Sequence, residues 1–507
     1  MRTTDRSHSP SPRLIAAVDL GSNSFRLLIG RVEASPLGPQ IRMIDSLKES
    51  VRLAAGLTPD GLLDADSRRR ALNALHRFGE RLHSFNPDAV RAVATNTLRV
   101  ARNARDLLST AEAALGFPID VISGREEARL IYVGAAHGLP ADDTDRLVVD
   151  IGGGSTECVI GSSYTPKLLD STPVGCVSMS HRFFADGAVD AKSFERAYYA
   201  ARNALAPVAS TYRAHGWKYV VGTSGTAKSL MQIARAHFGE ESLTRDVLAR
   251  LEYMLVKAGH PDRLETIGLR SDRRPVLPGS LALMAATFDE LRIDEMRYCD
   301  SALREGLLYD LLGRHSETDM REITVVRMMQ RYDIDEAQAI RVAQTALALF
   351  DQGARGVREQ LEIHRELLCW GAKLAEVGMS ISHEDHHRHS AYILRNADMP
   401  GFTQTEQALL SRLALGQVGG LRKMRDEVRS DLEWLMVLSL RLASILHRRR
   451  DGAEPPLPAL FLKRRKVRIE LPAQWAGMHP LSDQTLRAEA AAWSELRLFD
   501  EFVYATT

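Results

Sequence analysis

Two passages of the chain repeat one pattern of apolar and polar positions. Leu14 to Leu20 is an apolar run ending in Asp19-Leu20-Gly21; polar Ser22-Asn23-Ser24 follows, then a second apolar run, Leu27 to Ile29. Leu147 to Asp150 leads likewise into Ile151-Gly152-Gly153-Gly154-Ser155-Thr156 and on to Cys158 to Gly161. Each reads as strand, glycine turn, strand: a hairpin. DLGSNSFRLLIG (Asp19 to Gly30) and DIGGGSTECVIG (Asp150 to Gly161) align without a gap, matching in the Asp, the first Gly, Ser24 with Ser155, the apolar triplet and the last Gly. A repeat over this separation predicts two similar lobes whose polar loops face one another across a cleft.

Between the repeats the pattern is mainly helical. Asp66 to His83 and Thr97 to Leu115 have helical periodicity; Ala89 to Ala94 and Ile119 to Ile122 read as strands. Ser123-Gly124-Arg125-Glu126 has the spacing of a capping box opening a helix to Ala136. Lys218 to Gly222 reads as a strand running through Gly222-Thr223-Ser224-Gly225-Thr226 into a helix. Strands alternating with helices predict an α/β core to about residue 313. From Thr318 to about Arg450 the pattern is helical with almost no strand signal. Pro455, Pro456 and Pro458 then break the chain before a small α+β unit. The predicted domains are 13–131, 132–313, 314–450 and 451–507.

Length agrees with several domains, since 507 residues exceed a single core. With 66 Lys and Arg against 65 Asp and Glu, the net charge of +1 gives no sign of a nucleic-acid partner. A polyanion site must therefore be a local patch. Four scattered cysteines without a C-x-x-C pair fit a reducing compartment. Met1 to Arg13 lacks the apolar stretch of a secretory signal, and no run is long and apolar enough to span a membrane. The expected location is the cytoplasm.

The repeat loops carry the candidate chemistry. Gly152, Gly153 and Gly154 let backbone N–H groups approach an anion closely, with Ser22, Asn23, Ser24, Ser155 and Thr156 adding polar side chains. Asp19 and Asp150, at equivalent strand ends, suit Mg²⁺, or else cap their own loops. Arg26 aligns with Glu157, so the second hairpin gains a carboxylate that either binds metal or handles a proton. The capping box accounts for Glu126. It leaves Glu127, about 100° further round the helix, as a candidate base whose pKa burial raises. Arg99 reads either as a phosphate clamp near a helix N-terminus or as a surface cation beside Arg102 and Arg105.

The strings DLGSNSFRLLI, ATNTLRVARNA, ISGREEARLIYVG, VVDIGGGSTE, GCVSM and VGTSGT, in this order, resemble the exopolyphosphatase and guanosine pentaphosphatase family of the actin and sugar-kinase superfamily. LLCWGAKLAEVG and HRHSAYILRNADMPGF extend the resemblance over nearly the whole chain, and SALREGLLYDLLG marks the exit from the second lobe. The resemblance implies a two-lobed actin-like, ribonuclease-H-like α/β core, a helical third domain and a small C-terminal α+β unit. It implies Glu127 as general base, Glu157 and Asp150 on the metal side, and Arg99 with both loops on the terminal phosphates. The implied substrate is inorganic polyphosphate, with guanosine pentaphosphate the nearest alternative. Mg²⁺, stimulation by K⁺ and a homodimer belong to the same implication. The role of Gly222 to Thr226, which holds adenosine in superfamily kinases, stays open.

The helical part resembles a metal-phosphohydrolase domain named for a His-Asp pair, but Ala375 and Glu376 stand at the pair's position. His383, His386, His387 and His389 lie nearby, the last three too close in sequence to share a helical face. The expectation is a scaffold without its own metal. Arg448, Arg449, Arg450, Lys463, Arg464, Arg465, Lys466 and Arg468 form two basic clusters, read either as a solvated face or as a track for a polyphosphate tail.

Overall fold

The computed structural model describes residues 14–33, 40–140, 143–264, 269, 271–313, 320–355, 361–397, 399, 401–463 and 465–507. It divides into two compact units, Met1–Glu317 and Thr318–Thr507. In the first unit, the first lobe runs β1 (Leu14–Leu20), β2 (Phe25–Glu33), β3 (Gln40–Glu49), α1 (Ala65–Leu82), β4 (Val90–Ala94), α2 (Asn96–Val100), α3 (Ala104–Leu115), β5 (Ile119–Val121) and α4 (Gly124–His137). The second continues with β6 (Arg146–Ile151), β7 (Thr156–Ser162), β8 (Thr165–Thr172), α5 (Cys176–Phe183), α6 (Ala191–His215), β9 (Tyr219–Thr223) and α7 (Ser224–Phe238). It closes with β10 (Leu243–Thr244), α8 (Arg245–Ala258), α9 (Leu277–Leu291), β11 (Glu295–Tyr298) and α10 (Leu303–Gly313).

The repeat is realised strand by strand. The first sheet has the order β3-β2-β1-β4-β5, and β8-β7-β6-β9-β11 reproduces it, with β10 added at the edge. In each, a three-strand antiparallel meander is extended by strands parallel to its first. The last glycine of each repeat has a structural reason. The register of β2 against β3 shifts between Ile29 and Gly30, and that of β7 against β8 between Ile160 and Gly161. A β-bulge thus curls both meanders at the same place. A Cβ on Gly161 would lie 2.6 Å from the Tyr132 ring, so the bend needs glycine there.

Both faces of each sheet are covered, which is why β1 and β6 read as nearly continuous apolar runs. Ala16, Val18 and Leu20 face a core under α1 and α3, while Ile15 and Ala17 face the layer between the sheets. Leu147, Val149 and Ile151 face the core of the second lobe, and Val148 the shared layer. That layer is filled by α4 and α10. The two helices cross with backbones touching: a Cβ on Gly134 would overlap the Ala302 carbonyl, and one on Gly306 the Leu130 carbonyl. Gly134→Ala is expected to destabilise the protein by about 1–3 kcal/mol or more, since the obstructing atoms are backbone and cannot rotate aside. Thermal unfolding checks this; an unchanged melting temperature contradicts it.

Three sequence expectations change. The helix predicted from Thr97 to Leu115 is broken after Val100, because Asn103 turns its side chain to the backbone of Leu63, accepting from its N–H at 2.9 Å and donating to its carbonyl at 3.1 Å. The predicted boundary at 131/132 falls inside α4, which belongs to the layer shared by both sheets. Only the Ser123 half of the capping box forms: Ser123 Oγ accepts from the Glu126 N–H at 3.1 Å. The Glu126 carboxylate, 2% exposed, instead takes two bonds of 2.8 Å from Arg129. Arg129 reaches Asp310 at 2.5 Å, and Arg91 pairs with the same Asp310. Glu126 and Asp310 are thus the two carboxylates of a buried four-residue ion network tying β4, α4 and α10 together.

The second unit runs α11 (Met320–Arg331), α12 (Glu336–Gly353), α13 (Leu361–Lys373), α14 (His386–Asn396), α15 (Gln404–Gly416), α16 (Asp431–Leu446), β12 (Ala459–Lys463), β13 (Lys466–Leu471), α17 (Ala473–Met478), α18 (Pro480–Leu496) and β14 (Glu501–Thr506). The helical part and the predicted unit 451–507 share one core. Trp493 of α18 meets Trp434 of α16 edge-on at 5.6 Å, and Leu460, Val467 and Ile469 join the same cluster. A three-stranded sheet this small buries too little surface to stand alone.

Candidate active site

Strand alternation places the chemistry. On β1 the parity of Ile15 and Ala17 continues to Asp19; on β6 that of Val148 continues to Asp150. Arg26 and Glu157 pair in register with Asp19 and Asp150, so they face the same layer. The N-terminal half of α4 brings in Glu127, with Ile131 one turn on. The loops meet above these side chains. A Cβ on Gly153 would lie 3.2 Å from Ser22 Cβ, and one on Gly154 2.6 Å from Asn96 Oδ1, so glycine lets these groups approach closely without displacing their neighbours. The second loop is fixed from below by bonds of 2.9 Å from the N–H groups of Cys176 and Val177 to the carbonyls of Gly152 and Gly153.

The resulting cleft has a volume of about 170 Å³. Asp19, Asp150 and Glu127 line it together with four cations, Arg26, Lys228, Arg273 and Arg304. Burial raises the Asp19 carboxyl to about 6 against the opposing pull of Arg26 and Arg304. Burial likewise raises Glu127 to about 7, although Arg99 Nη1 donates to its Oε2 at 3.2 Å. Asp150 is raised by burial, opposed by hydrogen bonds from Thr223, at 2.6 Å, and Ser224. Glu157 is raised well above the carboxylate range by burial and the nearby charges of Glu127 and Asp150; Ser171 donates to it at 2.8 Å. Burial thus raises all four carboxyls, the three that line the cleft and Glu157, a pattern that clusters at functional sites.

Of the candidate residues, Asp19, Ser22, Asn23, Ser24, Glu127, Asp150, Gly152, Gly153, Gly154 and Ser155 line the cleft. Glu157 sits one layer behind, almost fully buried. Thr156 is directed away, because strand parity puts it on the face of Cys158 and Ile160; its hydroxyl donates to the Val174 carbonyl at 2.6 Å. Arg99 is neither at a helix start nor a surface cation: it lies in the last turn of α2 and holds the Ile122 carbonyl at 2.8 Å as well as Glu127. The open question of Gly222 to Thr226 has an answer in Thr223 and Ser224. They fasten Asp150 and the Ile151 carbonyl, the latter at 3.0 Å, while the Arg273 guanidinium lies against Gly225. Lys228, Arg273 and Arg304 escaped the sequence reading. Arg304 stood inside the SALREG string, but Arg273 lies in a short 3₁₀ turn with no pattern of its own.

Two buried polar atoms of the cleft find no hydrogen-bond partner among the described residues: Asp19 Oδ1 and Asn23 Nδ2. An open acceptor and an open donor in one cleft suit a cation and an anion oxygen. Among the described residues no group of three or more His, Cys, Asp and Glu side chains could hold a metal ion alone. Asp19 and Asp150 offer hard carboxylate oxygens of the kind that hold Mg²⁺ when substrate oxygens and water complete its shell.

In the second unit, His383 and His386 border a cavity of about 530 Å³ together with Ala375 and Glu376, while His387 is buried and faces another. Five of the eight basic-cluster residues are engaged in ion pairs. Arg449 holds Asp451 at 3.0 Å, Arg450 holds Glu376, Arg465 Asp500 at 3.5 Å, Lys466 Glu501 at 2.8 Å and Arg468 Glu470 at 2.5 Å. Arg464 and the Lys463 side chain lie outside the described residues.

Two facing lobes of duplicated topology, closing glycine loops over buried carboxylates and cations, define an actin-like fold with a charged cleft between its sheets. Residues 31–315 match the Ppx/GppA phosphatase family, and residues 320–490 match domain III of Ppx/GppA phosphatases. The chain belongs to this family, which implies hydrolase chemistry on phosphoanhydride bonds. Solved structures agree in fold. An exopolyphosphatase from Cytophaga hutchinsonii is 24% identical with a TM-score of 0.53, over 59% of this chain and 98% of that one. The Aquifex aeolicus member of the Ppx/GppA family is 23% identical with a TM-score of 0.51, over 61% and 100%. Among the described residues no helix is long and apolar enough to cross a membrane.

Proposed function

We propose that the protein is an exopolyphosphatase, releasing inorganic phosphate from the end of a polyphosphate chain, with Glu127 as the base. The observation that carries this reading is the buried Glu127 carboxyl, raised to about 7, in a cleft lined by cations and glycine amides. A carboxylate of that basicity is matched to removing a proton from water near neutral pH. Arg26, Arg273, Arg304 and Lys228 hold the phosphate oxygens, and the glycine-loop N–H groups support the terminal phosphoryl group as water attacks in line. The Glu127 carboxylate takes the water proton, and Arg99 keeps that carboxylate aimed. Asp19 and Asp150 would hold Mg²⁺, which when bound neutralises charge on the phosphate chain. Glu157 supports that arrangement from behind.

Polyphosphate is favoured over guanosine pentaphosphate by the size of the cleft. The cleft of about 170 Å³ is of a size to hold a few terminal phosphates, and among its described lining residues Tyr298 alone is aromatic enough to stack a guanine. The test measures phosphate release from long polyphosphate, tripolyphosphate and guanosine pentaphosphate in parallel, with Mg²⁺ and after exhaustive chelation. The expected result is release from polyphosphate that depends on Mg²⁺. Preference for guanosine pentaphosphate would overturn the substrate, and full activity after chelation would overturn the metal.

A further inference from the structure

A second cavity, of about 580 Å³, lies wholly within the helical unit. It is bordered by Lys423, His387, Arg388, Arg422, Arg425 and the Gly419-Gly420 turn, against the two carboxylates Asp385 and Glu495. The carboxylates hold their arginines loosely, Asp385 at 3.6 Å from Arg388 and Glu495 at 3.8 Å from Arg422, both pairs exposed to solvent. Such pairs contribute little, so the guanidinium groups are available to an incoming anion.

Lys423 differs from the paired lysines of the molecule. Lys167, Lys228, Lys373 and Lys466 each face a carboxylate within 2.9 Å. Among the described residues Lys423 has none; its half-buried ε-amine donates to the Val418 carbonyl at 2.7 Å. The approach to that amine is open because residue 419 is a glycine: a Cβ there would lie 3.1 Å from Lys423 Nζ and 3.6 Å from His387 Nε2, and the φ of +78° is one that few other residues adopt.

We propose that Lys423 is an acylation site, its ε-amine attacking the carbonyl carbon of a small acyl phosphate whose phosphate is held by Arg388 and Arg422. The N–C bond forms as the bond from carbonyl carbon to phosphate oxygen breaks. The leaving phosphate keeps the electron pair and takes the amine proton, so an acyl phosphate dianion and a neutral lysine give an amide and hydrogen phosphate. The electrostatic surroundings support the step. Burial, with repulsion from Arg441 and Arg388 against the attraction of Asp385, lowers the Lys423 amine to about 8. Burial lowers His387 to about 4, so the ring adds no charge near neutral pH. The neutral fraction of the amine is roughly a hundredfold above that of an ordinary lysine, and its reduced basicity returns part of that gain. A net advantage of about tenfold in rate is expected.

The experiment treats the full chain with acetyl phosphate at pH 8 and follows acetylation at Lys423 and at exposed Lys192 by peptide mass spectrometry. Lys423 is expected to react about tenfold faster. Added inorganic phosphate should slow Lys423 and leave Lys192 alone, and in the urea-unfolded chain the two should react alike. With a neutral donor, p-nitrophenyl acetate, the advantage should shrink. Arg388→Gln with Arg422→Gln should reduce the acetyl phosphate advantage to that of the neutral donor, in a variant whose thermal melt is unchanged. Equal rates at the two lysines in the folded chain overturn the proposal. So does a Lys423 rate indifferent to inorganic phosphate, a result that needs no variant.

Discussion

Glu127→Gln is expected to lower turnover on polyphosphate about 10²–10⁴-fold while leaving the fold intact, the usual effect of losing a positioned base. The amide keeps the size of the side chain and its contact with Arg99, so unfolding should be nearly unchanged. The pH profile gives a second readout. A base works only when deprotonated, so kcat/KM in the unmodified protein should rise as pH increases through about 7 and then level off. In the Gln variant the step near 7 should vanish from the residual activity. A variant that keeps more than a tenth of normal turnover, or the same pH step, rules Glu127 out as the base.

The neighbouring position should behave in the opposite way. Glu126→Ala is expected to destabilise the protein by about 3–5 kcal/mol, because it leaves Arg91 and Arg129 buried with Asp310 as the remaining carboxylate of the network. Urea unfolding measures this directly. A loss below about 1 kcal/mol would show that water or a rearranged Asp310 compensates. Two adjacent glutamates thus separate chemistry from stability: one variant folds and does not turn over, the other turns over only while it stays folded.

The sequence disclosed most where a pattern was written twice. The gapless match of Asp19–Gly30 with Asp150–Gly161 gave the hairpins, the facing loops and the strand-end carboxylates, because strand alternation and glycine turns are local properties. Glu127 was also legible, as the carboxylate left over once Ser123 had claimed its neighbour for capping. That inference led to a residue that does line the cleft, for only half the right reason. Glu126 is occupied by Arg129, Arg91 and Asp310, and a network drawn from positions 91, 126, 129 and 310 has no sequence signal. Thr156 was misread for want of parity: counting by twos from Glu157 would have turned it away from the cleft. Arg99 was placed by its nearness to a helix start, whereas the break pinned by Asn103 sets where that helix ends. The separate C-terminal unit was inferred from three prolines, which mark a change of direction and not the end of a hydrophobic core.

The crossing of α4 and α10 at Gly134 and Gly306 has a mechanical meaning. Glu127 lies one turn before the contact on one helix, and Arg304 lies within the contact on the other. Helices whose backbones touch cannot slide past each other without unlocking, so the two side chains ride on a single strut. A movement of one lobe against the other that leaves this crossing intact keeps the spacing between Glu127 and Arg304 constant. The cleft is roofed instead by the hairpin loops around Ser22 and Gly153, which are joined to that strut only through their strands.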